Sequence, residues 1–147
     1  MKTAMQCLVL IFLINMPAIG AKFYQPNSGD KELDAVLVQI HKIINRSNKT
    51  RISQFVDKIS EQFQVPPQKV EALFNNYEFN AADVLMSVSI ADVSGEPLSN
   101  IAGVYINSKS RDWEYALKQL NISQHSKTFL QIKKDMSVGL EWIVHNK

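Results

Sequence analysis

The stretch Asn80-Ala81-Ala82-Asp83-Val84-Leu85-Met86-Ser87-Val88-Ser89-Ile90-Ala91-Asp92-Val93-Ser94-Gly95 decides the fold. It opens on an asparagine, whose side chain accepts from the free amides of a helix start. Asp83, three residues on, is placed to close a capping box. It ends on a glycine, which takes the left-handed conformation past a helix end at no steric cost. Between the caps, Val84, Leu85, Met86, Val88, Ile90, Ala91 and Val93 point almost all the way round the cylinder. A helix apolar on nearly every side is one that its neighbours surround. The reading is a central helix over about 81–94, wrapped by the rest of the chain.

The flanking sequence supplies the wrapping. From Asp30, apolar residues recur at three and four (Leu33, Leu37, Ile40, Ile44), with Lys42 and Arg46 suited to the negative end of that helix. A second stripe runs Ile52, Phe55, Val56, Ile59, Phe63 and stops before Pro66-Pro67. A short third carries Val70, Leu73 and Phe74. Downstream, Pro97 suits a helix start ahead of Leu98, Ile101, Ala102 and Tyr105. Next come Trp113, Ala116, Leu117 and Leu120, with Asn121 as a left-handed cap and Ile122 as the apolar contact beyond it. A last helix begins near Ser126 with Phe129, Leu130, Ile132 and Met136; Gly139 is placed to break it ahead of Leu140-Glu141-Trp142-Ile143. No run alternates with period two long enough for a strand. The fold class is all-α, a compact bundle of six or seven short helices. Pro66, Val70, Leu73 and Phe74 match Pro97, Ile101, Val104 and Tyr105 at a constant offset, a faint repeat of one helix pair.

The N-terminus reads as an address. Lys2 precedes the apolar run Cys7–Ile14, Pro17 breaks it, and Ala18-Ile19-Gly20 puts small residues at −3 and −1 of a cleavage site. That run falls short of the ~20 residues a bilayer span needs. The expected organisation is a cleaved export signal at 1–20, a mobile leader with turn chemistry at 21–29, and one helical domain at 30–147. Cleavage removes Lys2 and the single cysteine, so stability has to come from the core and no transmembrane segment remains.

At 46% hydrophobic, 20% charged and +2 net, the chain has no strong general attraction to nucleic acid or anionic lipid. His41, His125 and His145 are not at metal-pair spacing, so neither metal nor cofactor is expected. No nucleophile elbow or phosphate-cradling glycine motif occurs. Trp113 to Leu130 superficially suggests a helix-turn-helix with Lys133 and Lys134 near phosphates, but Lys127 falls where that motif buries an aliphatic residue. No nucleic-acid partner is expected.

The segment Ser94 to Phe129 resembles a family of small exported bacterial proteins. Their pattern is Ser-Gly-x-Pro, a hydrophobic helix, then Gly-Trp-Gly-x-x-Ala-x-x-Leu-Gly-Ile and Ser-Lys-x-Phe. Ser94, Gly95, Pro97, Trp113, Leu120, Ile122, Ser126, Lys127 and Phe129 match at the same spacings. Asp112, Glu114 and Asn121 stand where the family has glycines. The resemblance implies an exported helical domain and carries no activity with it.

The expected role is a non-catalytic binding or interaction module of the cell envelope, periplasmic or secreted, with an envelope protein or a small apolar ligand as partner. Asp83, Asp92, Tyr105 and Trp113 are the candidate ligand or partner residues; His41, Lys42, Arg46, Lys49 and Arg51 form a candidate basic patch. A carrier of an apolar molecule would line its pocket with Met86, Trp113, Phe129 and Trp142. A carboxylate enzyme would be built on Asp83, Asp92, Glu96 or Asp112.

Overall fold

The computed structural model describes residues 23–44, 46 and 48–146. The candidate export signal lies outside them. Seven helices follow one another: α1 Lys31–Ile43, α2 Lys49–Phe63, α3 Pro67–Asn75, α4 Ala81–Ser94, α5 Leu98–Asn107, α6 Trp113–Gln119 and α7 Lys127–His145. The chain is all-α across the described residues, as its periodicity predicts.

α4 is the central helix. Every residue from Ala81 to Ile90 is buried, and α1, α2, α3, α5 and α7 all pack against it. Asn80 Oδ1 accepts from the amides of Ala82 and Asp83, and Gly95 ends the helix at φ +74°. One core cluster draws on all seven helices, from Leu33 to Ile143. None of the described helices is long and apolar enough to cross a membrane.

Local signals hold at most ends. Asp30 caps α1, Asn48 caps α2 and Ser126 caps α7, each accepting an amide of its own first turn. After α6, Asn121 is left-handed (φ +57°), its amide reaches Lys118 O, and that of the buried Ile122 reaches Leu117 O. Those are the two bonds of a Schellman ending. Pro66 and Pro97 open α3 and α5 with nearly the same backbone, φ/ψ −55°/134° and −61°/138°, so Pro97 stands one residue before the helix. The helices that follow are unequal, 14 residues in α4 and 7 in α6.

Three expectations are corrected. Gly139 does not break α7, which runs straight through it. The residue is buried at the crossing with α4, where an added Cβ would lie 2.5 Å from Leu85 Cδ2. Glycine is there to let two helices approach. Arg46 lies beyond α1 and serves another helix end, donating to Phe74 O at the close of α3. Residues 24–28 are tied down, not a free leader: Pro26 and Ser28 are buried and the segment straps across α6.

Candidate functional site

That strap builds the most distinctive site in the molecule. The 7-residue α6 is too short to be stable alone, since nucleation is costly and few bonds follow. Its first amides are met from outside: Trp113 N donates to Pro26 O (3.2 Å), Glu114 N to Asn27 O (2.8 Å) and Tyr115 N to the Asp112 cap (3.0 Å). Asn27 Nδ2 also donates to Asp112 Oδ2 (2.8 Å). With α6 fixed, the Trp113 indole enters the core and lies stacked on Tyr105, centroids 3.9 Å apart and 17° from parallel. Phe79 meets the other ring of this trio edge-on, 5.3 Å from Tyr105.

Two of these rings, Tyr105 and Trp113, converge on Asp83, which is 2% exposed. Its Oδ1 accepts from Tyr24 Oη (2.7 Å), Tyr105 Oη (2.9 Å) and Trp113 Nε1 (3.0 Å), and its Oδ2 from Asn80 Nδ2 (2.7 Å). Burial pushes the Asp83 carboxyl above its ordinary value, while the bonds from Tyr24, Trp113 and Tyr105 pull the other way. Burial together with the Asp83 charge drives both tyrosines up, so they stay protonated as donors. Four donors and no acceptor suit an ionised carboxylate. The site is a closed polar knot joining the strap, α4, α5 and α6. His41 packs tilted against Tyr24 (4.6 Å between centroids, 31° between planes), and its Nδ1 is buried without a hydrogen-bond partner among the described residues.

Of the four candidate binding residues, Asp83, Tyr105 and Trp113 come together and Asp92 does not. Nine residues along α4, about 13 Å of rise, Asp92 is exposed. Tyr24 and Asn80 complete the knot; sequence reading found Asn80 as a cap only and missed Tyr24. The candidate enzyme acids do not assemble. Asp83 is enclosed, Asp112 caps α6, and Glu96 accepts from Asn100 at 2.7 Å. The carrier set is also dispersed: Met86, Trp113 and Phe129 fill the core, while Trp142 is half-buried and lines a surface groove.

The basic patch divides around the start of α2. Arg46 donates to Phe74 O (2.9 Å) and Glu78 O (3.3 Å), and Arg111 reaches the same Glu78 carbonyl (3.2 Å). Arg46 and Lys49 line one groove of about 440 Å³; Arg51 lines another of about 510 Å³ and donates to Ile143 O (3.2 Å). Lys42 is exposed and His41 faces Tyr24. Lys133, a candidate phosphate contact, is engaged by Asp30 (2.8 Å) and Glu32 (2.9 Å). The described residues hold no group of three or more His, Cys, Asp or Glu placed to bind a metal.

Comparison of the chain with protein-family models, curated proteins and solved structures found no match.

Proposed function

We infer that the chain is an exported, non-catalytic binding module of the bacterial cell envelope, released after residue 20. One observation carries the non-catalytic part. Asp83, the carboxylate that burial pushes above its ordinary value, accepts from four protein donors and is absent from the lining of the five grooves of about 320–510 Å³. A general acid or base needs reach to a substrate proton. Asp83 spends its chemistry on joining four segments, and the concave surfaces left for partners are open grooves of about 320–510 Å³. Export is supported by the order of charge, apolar run and small residues in 1–20, and by the resemblance across Ser94–Phe129.

The test is to fractionate bacteria expressing the full chain and weigh the protein intact, first under native and then under denaturing conditions. The expected result is a periplasmic species beginning at Ala21, with a protein partner carried only in the native spectrum or none at all. Retention of residues 1–20 in a membrane fraction overturns cleavage. A small molecule released on denaturation replaces the interaction module with a carrier.

A further inference from the structure

The ends of α1 and α7 meet the first turns of α2 around the groove of about 510 Å³, whose floor includes Ile44 and Ile143. Arg51 is fixed there by its bond to Ile143 O, a cation at the negative end of α7. That carbonyl takes one of the five donors of a guanidinium. Among the described residues no carboxylate lies within ion-pair distance of Arg51, and none lines the groove. The result, among the described residues, is a positioned cation that faces the groove with no carboxylate beside it.

The other lining groups are of a particular kind. Gln54, three residues on and so on the same face of α2, offers an amide donor and acceptor. Asn146 uses one amide proton on Trp142 O (2.9 Å), which leaves its own carbonyl and a second proton. His145 Nδ1 meets the Glu141 carbonyl at 2.7 Å, so in the neutral ring that nitrogen carries the proton and Nε2 accepts. Half-buried Trp142 adds a flat apolar face. A bare oxyanion could take Arg51 and the amide protons, but it would leave the amide carbonyls, the imidazole acceptor and the indole face without partners. A fixed cation, two planar amides, an imidazole acceptor and an aromatic plane complement a polyhydroxylated ring that bears one acid group.

We propose that this groove binds an acidic carbohydrate, its carboxylate on Arg51, its hydroxyls on Gln54, Asn146 and His145 Nε2, and a C–H face against Trp142. The proposal rests on the binding-module reading for the compartment that supplies such a polymer. Its test is calorimetric titration of the purified chain with tetragalacturonate, with maltotetraose and inorganic phosphate as comparisons at equal ionic strength. Tetragalacturonate is expected to bind saturably, to shift the emission of Trp142 (a signal lost in Trp142→Phe), and to weaken as salt rises. Maltotetraose and the Arg51→Gln variant are expected to weaken binding by about tenfold or more, the loss of one charge-assisted contact. Because Arg51→Gln also removes the bond to Ile143, Gln54→Ala serves as a second variant that keeps it and still weakens binding. The proposal is overturned by no saturable binding, by undiminished affinity in both variants with helicity intact, or by phosphate binding as tightly as the tetramer. Failure here with a periplasmic, processed chain leaves the binding-module reading standing and moves its partner elsewhere.

Discussion

At Asp83, chemistry and geometry can be separated by substitution. In Asp83→Asn the side chain has one acceptor oxygen where four donors converge. Turned either way, its amide faces another donor: Asn80 Nδ2, or the trio of Tyr24, Tyr105 and Trp113. An unmet buried donor costs about 1–3 kcal/mol, so Tm should fall by about 4 °C per kcal/mol in a thermal melt. Asn80→Asp keeps the cap and supplies an acceptor, so the double variant should recover part of the loss while Asn80→Asp alone, which sets two carboxylates together, should not. The same residue sets a pH dependence. Its folded carboxyl titrates above the ordinary value because of burial, so between the two values the native state holds a proton that the unfolded chain has released. Stability falls as pH rises through that window, and denaturant titrations across it should show the slope flattened in Asp83→Asn. Asp30 acts with the opposite sign. Partial burial raises its carboxyl, but the Lys133 and Leu33 bonds outweigh that and leave it low. Its contribution is present above the ordinary carboxylate value and is lost as pH falls through its folded value.

Two elements depend on contacts that their own sequences do not contain. α6 has its first two amides capped by carbonyls of the strap, 87 residues earlier in the chain. Deleting residues 21–28 should leave those amides open and remove one donor from Asp83. Hydrogen exchange in α6 should then speed up well beyond that in α4; equal protection in both helices would contradict this capping role. α7 depends on Gly139. Alanine there gains helix propensity worth about 1 kcal/mol but drives a methyl into the buried Leu85, an overpacking that costs about 1–3 kcal/mol. The net expected for Gly139→Ala is destabilisation by about 1 kcal/mol. A variant as stable as the parent would show that Leu85 has room to move.

At the scale of the whole molecule, the described residues share one core, continuous from α1 to α7, with α4 through its middle. A single core predicts a single cooperative unfolding transition. The two tryptophans sample it from different places, Trp113 at the Asp83 knot and Trp142 near the end of α7. Denaturation followed by tryptophan fluorescence and by far-ultraviolet dichroism should therefore give coincident curves, with the same midpoint in Trp142→Phe. A split transition would mean that the strap and α6 unfold ahead of the rest.

What the sequence determined by itself is local. Asn80 and Gly95 bound the central helix, Asn121 and Ile122 end α6, and the all-round apolar surface of 84–93 makes α4 central, because caps and periodicity act over four residues or fewer. What only the tertiary structure decided is which distant groups meet. Tyr24 in a turn-like leader carries no period, yet its hydroxyl lands on Asp83, 59 residues away. Gly139 looks like a helix breaker until the crossing with Leu85 is seen, and the run of basic residues parts when Arg46 and Arg51 find the carbonyl ends of α3 and α7. Pairing of a buried acid with its donors, or of a guanidinium with a carbonyl, is selected by how whole helices pack, and the neighbouring sequence holds no record of it.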